Sequence, residues 1–302
     1  MWRNWCLRHG LVDDPGHRKI HHQPVPLAGG LAVLSAMLLT VLGGALTLWI
    51  IPDQSWSSAM EYGLARRAPQ LLAILAGATG MVIVGCLDDK HELRPGPKFL
   101  GQAVIACMVA ASDIRITLFI PSVLASFCLT VLWILTVLNA INFMDNMNGL
   151  SAGLGAIGAA AFGIIAAMDG QYLVALIAFV SLGALIGFIP YNFPHARVFL
   201  GDAGSHLVGF ILAVLAILPH FHTPEQPRRL AVLIPLLVLA LPLLDMVRVV
   251  LFRWRIGQPF YQGDNNHVSH ILVKKGLSPK NAVLLLWLAT ALFAGLAVVL
   301  VL

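Results

Sequence analysis

Long apolar segments separated by short polar ones run along the whole chain. A helix of about 20 apolar residues crosses the roughly 30 Å of hydrocarbon in a bilayer. Continuous apolar blocks also exclude an outer-membrane barrel, whose strands alternate apolar and polar residues. The pattern therefore predicts an all-α, polytopic membrane bundle of about nine transmembrane helices. The candidate spans lie near residues 27–51, 70–87, 99–112, 122–141, 150–168, 171–190, 206–221, 230–247 and 281–302.

Composition supports a membrane protein and excludes several other classes. Of the 302 residues, 59% are hydrophobic and only 11% are charged, whereas soluble domains carry about 25% charged residues. The formal charge of +5 comes from short loops rather than from a basic patch on a soluble face, so no nucleic acid is expected as a partner. Since no long linker interrupts the spans, we expect residues 1–302 to form one membrane-embedded domain.

The distribution of charge predicts the orientation in the membrane. If the nine spans alternate in direction across the membrane, the loops on one face carry 14 of the 19 Lys and Arg residues. Because Lys and Arg favour cytoplasmic loops, this face is predicted to be cytoplasmic. Nine of the 14 acidic residues and nine of the 11 histidines lie on the same face or at helix ends that abut it. We therefore expect a site that opens to the cytoplasm. The loops of the predicted cytoplasmic face are 1–26, 88–98, 142–149, 191–205 and 248–280.

Two acidic motifs lie at predicted helix ends. Asp88 and Asp89 directly follow the second apolar run, where neighbouring carboxylates repel each other and oppose the helix dipole unless a cation or proton offsets them. A solvated helix end is the alternative interpretation.

Asp202 lies in FLGDAGSH, where a glycine-rich helix start offers backbone N–H groups to phosphate and a carboxylate can hold Mg²⁺. An ordinary N-cap is the alternative there.

A third motif, NAINFMDNMNGL, covers residues 139–150. It has no Lys or Arg within ten residues. Because oxygen ligands in that pattern suit a cation, the motif favours a metal or phosphate-sugar pocket over a simple turn. Its oxygen-bearing side chains are Asn139, Asn142, Asp145, Asn146 and Asn148.

The longest cytoplasmic segment, residues 245–275, combines arginines with histidines. His267 and His270 are three residues apart, and Asp264 precedes His267 by three. A His-x-x-His pair could bind zinc, but neither an HExxH glutamate nor a cysteine set accompanies it, so phosphate recognition is the favoured interpretation. Arg253 suits either this role or contact with lipid headgroups. The basic run Arg18–His22 precedes the first span and is explained by anchoring at the membrane.

Taken in order, five motifs resemble those of the polyprenyl-phosphate N-acetylhexosamine-1-phosphate transferases. This family, glycosyltransferase family 4, includes initiating UDP-GlcNAc:undecaprenyl-phosphate transferases and the related phospho-MurNAc-pentapeptide translocase. The resemblance implies transfer of a sugar-1-phosphate from a UDP-N-acetylhexosamine to undecaprenyl phosphate, with release of UMP, to begin a cell-surface polysaccharide. It also implies Mg²⁺ as the cofactor, with Mn²⁺ as the alternative, and a multi-pass location in the bacterial cytoplasmic (inner) membrane. The five motifs are RKIHHQPVPLAGG, DDKHELRPGPKFLGQ, NAINFMDNMNGL, VFLGDAGS and DNNHVSH.

The resemblance also implies residue roles and partners. Asp202 would hold Mg²⁺ with Asn142 and Asp145 beside it, while Asp88 and Asp89 would bind or deprotonate the acceptor phosphate, with positioning as their main role. The expected partners are undecaprenyl phosphate, the UDP-sugar and the lipid bilayer, and a homodimer is left open as the alternative to a monomer. Substrate binding would fall to Lys98, Asn139, Asn148, Arg253, Asp264, His267 and His270.

Three features depart from the family pattern. Asn148 stands where the family commonly has a second aspartate, and the histidine motif is His267-Val268-Ser269-His270 rather than three consecutive histidines. Family members usually carry one more span before the basic loop, so we expect about 20 in-frame apolar residues to be encoded upstream of Met1. Two other interpretations stay open: an ion-coupled transporter or lipid-binding membrane protein, and an inactive relative that scaffolds glycan assembly.

Overall fold

The computed structural model describes residues 1–13, 24–50, 55–117, 121–219, 230, 232–259, 261 and 265–302. Most of them lie in helices, and the strands among them are two of two residues each. Asp264 and the basic run 18–22 lie outside the described residues. The strands are β1 (Val12–Asp13) and β2 (Val25–Pro26). The helices are α1 (Trp2–His9), α2 (Gly29–Ile50), α3 (Ser55–His91), α4 (Pro95–Ala111), α5 (Val123–Met144), α6 (Leu150–Met168), α7 (Tyr172–Asn192), α8 (Gly201–Leu215), α9 (Leu233–Val238), α10 (Ala240–Arg255), α11 (Val268–Lys274) and α12 (Pro279–Val299).

The all-α membrane bundle predicted from the sequence is confirmed, whereas the number of nine spans stays a prediction. Among the described residues, six helices are long and apolar enough to cross a membrane. The predicted span 230–247 is divided into α9 and α10 at Leu239. Pro242 lies in the first turn of α10, where it has no N–H to continue a hydrogen-bonded helix from α9. The six helical segments are Gly29–Thr47, Ala65–His91, Val123–Met144, Leu150–Met168, Tyr172–Asn192 and Pro279–Val299.

Helix α8 forms the centre of the bundle, where α3, α5, α2 and α6 pack around it. All of its residues from 203 to 215 are buried. Glycines let its neighbours approach closely: a Cβ at Gly85 of α3 would lie 2.3 Å from the Cα of Ala203, and one at Gly209 would lie 2.7 Å from the Cα of Leu138 in α5. Small residues allow this close backbone packing in membrane helices. The end of α3 therefore lies beside the start of α8.

The N-terminal strands attach to the segment that leads into α8. Strand β1 pairs antiparallel with β2, and the N–H of Phe199 donates to the carbonyl of Pro26 at 3.0 Å. The N–H of Gly29 in turn donates to the carbonyl of Phe199 at 3.0 Å. These bonds place β1 and the 198–200 segment at the same end of the bundle.

The turn between α5 and α6 is fixed to the same end. Gly149 has a φ of +78°, which a side chain would strain, and a Cβ there would lie 2.6 Å from the Cβ of Phe193. The N–H of Gly149 donates to Oδ1 of Asn192 at 2.6 Å, and Nδ2 of Asn192 donates to the carbonyl of Val198 at 2.9 Å. Asn192 thus joins the turn after α5 to the segment before α8, as the shared-face prediction requires.

Candidate functional site

A cavity of about 590 Å³ opens where these helix ends meet. Six carboxylate side chains contribute to its wall, together with Asn146, Asn148 and Asn192. The structure thus brings three separate predicted motifs to one place, around residues 88–89, 145–148 and 202. Asp13 and Glu92 also line the cavity and were not singled out from the sequence. The six acidic residues are Asp13, Asp88, Asp89, Glu92, Asp145 and Asp202.

Asp89 caps the start of α8. Its Oδ1 accepts the backbone N–H of Asp202 at 2.8 Å, and its Oδ2 accepts that of Ala203 at 3.1 Å. Gly201 has a φ of +71°, and a Cβ at this position would lie 2.7 Å from Oδ2 of Asp89. The expectation that this helix start offers free N–H groups to phosphate is therefore wrong for these two donors, because a carboxylate of the protein already satisfies them.

Lys98 bridges two carboxylates. Pro95 occupies the first position of α4, which suits proline because no N–H is needed there, and Lys98 follows in the first turn. The Nζ of Lys98 lies 2.6 Å from Oδ2 of Asp88 and 3.0 Å from Oδ2 of Asp202. The other oxygen of Asp88 accepts the N–H of Leu93 at 2.9 Å. The ammonium group therefore offsets two of the negative charges at the inner wall of the cavity.

Asn142 orients Asp202 from the end of α5. Its Nδ2 donates to Oδ1 of Asp202 at 2.7 Å and to the hydroxyl of Ser205 at 2.8 Å. Both oxygens of Asp202 thus have partners, Asn142 on one side and Lys98 on the other. The amide presents its nitrogen rather than its oxygen to the carboxylate.

Asp145 is a carboxylate whose negative charge is opposed by neighbouring acids. It follows the last residue of α5, and its backbone N–H donates to the carbonyl of Asn142 at 3.1 Å. Burial first, and then the negative charges of Asp202 and Asp89, raise the pKa of Asp145 well above its usual range. A divalent cation would offset that repulsion. This carboxylate-rich cavity therefore fits a hard divalent ion such as Mg²⁺.

Asn139 lies one turn deeper, in a second group of polar side chains. Its Nδ2 donates to Oε1 of Gln102 at 3.0 Å, and Nε2 of Gln102 lies 3.2 Å from Nε2 of His206. Asn139 is not part of the described cavity wall. Direct substrate binding by Asn139 stays a prediction, and in this structure its contacts are internal.

His267 and Arg253 lie in a separate buried cluster beside Phe143. The Nδ1–H of His267 donates to Oδ2 of Asp245 at 2.6 Å, and the N–H of Val268 donates to Oδ1 of Asp245 at 2.7 Å. The Phe143 ring has the Arg253 guanidinium 5.1 Å from its centroid and the His267 ring at 5.8 Å. Arg253 is only 1% exposed. This environment resembles a protein core more than a lipid-headgroup surface.

The histidine segment connects to the cavity through Asn146. The hydroxyl of Ser269 donates to Oδ1 of Asn146 at 2.6 Å, and Asn146 lines the cavity. The ring of His270 lies 6.4 Å from that of His267. Asn148, at the other side of the turn, donates from Nδ2 to the carbonyl of Pro194 at 3.2 Å. Neither His267 nor His270 is among the residues that line the cavity.

Sequence reasoning missed three buried polar residues that organise the site. Asp245 and His206 are ionisable residues inside apolar runs, which is the signal that could have identified them. Gln102 follows Lys98 by four residues, so it lies on the same face of α4. Gln102 and His206 are the last residues of two of the quoted motifs, but the acidic residues of those motifs drew the functional interpretation.

Comparison with known proteins relates the chain to one family. The family model described as glycosyl transferase family 4 matches residues 71–220, which include Asp88, Asp89, Lys98, Asp145 and Asp202. The matched region thus contains the carboxylates of the cavity except for Asp13.

Individual relatives cover nearly the whole chain. A probable undecaprenyl-phosphate N-acetylglucosaminyl 1-phosphate transferase of Bacillus subtilis is 30% identical over 303 residues, covering 98% of this chain and 78% of the relative. An undecaprenyl-phosphate alpha-N-acetylglucosaminyl 1-phosphate transferase of Salmonella typhi is 30% identical over 309 residues, covering 98% of this chain and 78% of the relative. A decaprenyl-phosphate N-acetylglucosaminephosphotransferase of Mycolicibacterium smegmatis is 33% identical over 319 residues, covering 96% of this chain and 75% of the relative.

Proposed function

The chain belongs to glycosyl transferase family 4, and from this premise we propose that it transfers an N-acetylhexosamine-1-phosphate from a UDP-sugar to undecaprenyl phosphate. UMP is the second product, and the lipid-linked sugar begins a cell-surface polysaccharide. One observation carries the proposal: Asp88, Asp89, Asp145 and Asp202 line one cavity at the ends of membrane helices. The phosphate of a polyprenyl lipid lies at that depth, at the surface of the bilayer.

The same observation disfavours the alternative functions. An ion-coupled transporter would place its charged residues near the midplane, on interrupted helices, whereas these carboxylates cluster at one end of the bundle. An inactive scaffold would have no need for a lysine held between two carboxylates, as Lys98 is between Asp88 and Asp202. Asn148, which replaces a charge in the family pattern, still lines the cavity.

The cavity residues would hold Mg²⁺ through their carboxylates. Asp202 and Asp145 are the proposed ligands, and Asn142 fixes the orientation of Asp202 through the 2.7 Å hydrogen bond. When bound, the ion would neutralise charge on the diphosphate of the donor and on the leaving phosphate. Phosphoryl transfer depends mainly on such charge neutralisation and on positioning.

The reaction needs little help from a general base. A phosphate oxygen of the lipid forms a bond to the β-phosphorus of the UDP-sugar, while the bond from that phosphorus to the bridging oxygen breaks and UMP leaves. Because the second pKa of a phosphate monoester is about 6, the attacking oxygen is already deprotonated at neutral pH. Asp89 therefore serves to hold the start of α8. Lys98, which pairs with the lining carboxylates Asp88 and Asp202, is proposed to bind a phosphate of a substrate.

We also propose that the cavity faces the cytoplasm of a bacterium. The donor is a soluble nucleotide sugar made in that compartment, and 14 of the 19 Lys and Arg residues fall in the loops of this face. The lipid acceptor reaches the cavity within the membrane, and the donor reaches it from water.

The decisive experiment uses the full chain purified in detergent. Incubation with labelled UDP-N-acetylhexosamines, undecaprenyl phosphate and Mg²⁺ should release UMP and yield a lipid-linked sugar phosphate. Asp202→Asn should lower the rate by roughly a hundredfold or more, as removal of one electrostatic contributor commonly does, while the unfolding temperature is retained. Asp113→Asn, at the other end of the bundle, is the matched control. A folded wild-type chain that produces neither product with any UDP-sugar would refute the proposal.

A further inference from the structure

The polar side chains that line the cavity differ in whether they can donate hydrogen bonds. Among the described residues they are six carboxylates and three amides, those of Asn146, Asn148 and Asn192. An ionised carboxylate only accepts hydrogen bonds, whereas an amide carries two N–H donors. A phosphate group also presents mainly acceptor oxygens. The amides are therefore the lining side chains that can bind a phosphate oxygen directly.

The amide of Asn146 is fixed on both of its polar atoms. The hydroxyl of Ser269 donates to Oδ1 at 2.6 Å, and Nδ2 donates to the carbonyl of Phe143 at 2.7 Å. Because a backbone carbonyl only accepts, the amide atom that faces Phe143 is the nitrogen, and this sets the orientation of the whole group. One N–H of Nδ2 is used in this bond. The described residues provide no acceptor for the second N–H.

Ser269 brings a distant part of the chain to this amide. It belongs to α11, is 0% exposed and follows Asn146 by 123 residues. The start of α11 is itself held by Asp245, which accepts the N–H of Val268 at 2.7 Å. The orientation of Asn146 therefore depends on α11 as well as on its own turn.

Asn146 also directly follows Asp145, a proposed ligand of the cation. A divalent ion at a phosphoryl-transfer site binds protein carboxylates and the phosphate oxygens of the substrate together. Since the Cα atoms of consecutive residues are only about 3.8 Å apart, a diphosphate on an ion held by Asp145 would lie close to the amide of Asn146.

We propose that the second N–H of Asn146 donates to a diphosphate oxygen of the UDP-sugar, and that Ser269 is the positioning residue that orients this amide. The inference rests on the proposed function, which assigns the UDP-sugar to the cavity. A hydrogen bond to a charged group changes affinity by roughly tenfold to a hundredfold. Asn146 thus contributes to binding of the donor, and Ser269 contributes through Asn146.

Calorimetric titration of the full chain in detergent measures this contact without turnover. UDP and UDP-N-acetylglucosamine are titrated separately, with Mg²⁺ and without lipid. Asn146→Ala should weaken binding of both by roughly tenfold or more, and Ser269→Ala by a smaller factor, because the bond to Phe143 remains. Ser181→Ala is the matched control: it removes a buried hydroxyl that donates to the carbonyl of Ile177 in its own helix, and it should leave both affinities unchanged.

Two further measurements separate positioning from a general loss of structure. If Ser269 acts through Asn146, the Asn146→Ala/Ser269→Ala double variant should bind UDP no more weakly than Asn146→Ala alone. In steady-state kinetics, each single variant should raise the KM for the UDP-sugar more than it lowers kcat, with the KM for undecaprenyl phosphate and the unfolding temperature retained. A purely structural role predicts additive losses and a lower unfolding temperature.

The outcomes distinguish this inference from the proposed function. Weaker binding of UDP-N-acetylglucosamine with unchanged UDP affinity would place the contact on the sugar, and a raised lipid KM alone would place it on the acceptor; either result overturns the assignment to the diphosphate. If Asn146→Ala does not fold, Ser269→Ala decides, since unchanged UDP affinity in that variant overturns the inference and leaves the transferase function intact. A wild-type chain that binds neither nucleotide and releases no UMP overturns both.

Discussion

The carboxylate of Asp89 holds Asp202 in place by accepting the backbone N–H groups of Asp202 and Ala203 at the start of α8. Its sequence neighbour Asp88 instead pairs with Lys98 at 2.6 Å. Two adjacent acids therefore have different functions: one fixes the helix that carries the proposed metal ligand, and the other shares a cation with that ligand. An acid pair at a helix end, which repels itself in isolation, is stabilised here by partners on two other helices.

Asp89→Asn should lower both stability and activity. An amide has one acceptor oxygen and two N–H donors, so one backbone N–H at the start of α8 would lose its acceptor and would face a donor. A lost buried hydrogen bond of this kind costs about 1–3 kcal/mol, and Asp202 would shift. Thermal unfolding and UMP release measure the two effects. Asp113→Asn, on an exposed turn, should change neither, and a fully stable Asp89→Asn protein would contradict the capping role.

Asp245→Asn should impair donor binding through His267. The buried Asp245 carboxylate fixes the ring through Nδ1 and the segment through the N–H of Val268. An asparagine can donate to Nδ1 and so stabilise the wrong tautomer. The KM for the UDP-sugar should rise more than kcat falls, because the segment that His267 begins supports Asn146 of the cavity wall through Ser269. The measurement is steady-state kinetics with the donor varied at saturating lipid.

A double-mutant cycle distinguishes this positioning role from a general loss of packing. If Asp245 acts through His267, the Asp245→Asn/His267→Gln double variant should be hardly worse than His267→Gln alone. Strictly additive losses in donor KM would mean that the two residues act independently. His9→Gln, on the exposed N-terminal helix, is the control for a histidine change remote from the cavity.

Asn148→Asp should lower the Mg²⁺ concentration that gives half-maximal rate. Asn148 lines the cavity and donates a 3.2 Å hydrogen bond to the carbonyl of Pro194. An added carboxylate there would face the other acids and attract a divalent ion. Mg²⁺ titration of UMP release measures the change, and Asn281→Asp on the exposed start of α12 adds the same charge elsewhere. An unchanged or higher Mg²⁺ requirement would show that the position does not limit metal binding.

The sequence predicted the convergence of the acidic motifs but not the contacts that organise them. Asp88, Asp145 and Asp202 stand at the ends of apolar runs, so the parity of the spans placed them on one face. The pairs Gln102–His206 and Asp245–His267 depend on which helices are neighbours, and apolar periodicity identifies a buried face without naming its partner. His206 and Asp245 lie within apolar runs, where a single polar residue does not interrupt the pattern.

The position of α8 along the chain was also not predictable from the sequence. The apolar run predicted a span over 206–221, whereas the helix begins at Gly201 and ends at Leu215. The first turn is helical because Asp89 on another helix satisfies its N–H groups, and that cap is distant in sequence. Tertiary contacts therefore set this boundary, and local propensity did not reveal it.

The cavity should open to the cytoplasm, and single cysteines test this orientation. In a chain whose four native cysteines are replaced by serine, Glu92→Cys and His195→Cys lie at the end of the bundle that carries the cavity. Asp113→Cys lies in the α4–α5 connection at the opposite end. Because basic residues concentrate in the loops of the cavity face, a membrane-impermeant maleimide added to intact cells should label Asp113→Cys alone. After the cells are opened, all three should react. Labelling of Glu92→Cys or His195→Cys in intact cells would place the cavity outside, where no nucleotide sugar is supplied, and would contradict both the orientation and the proposed donor.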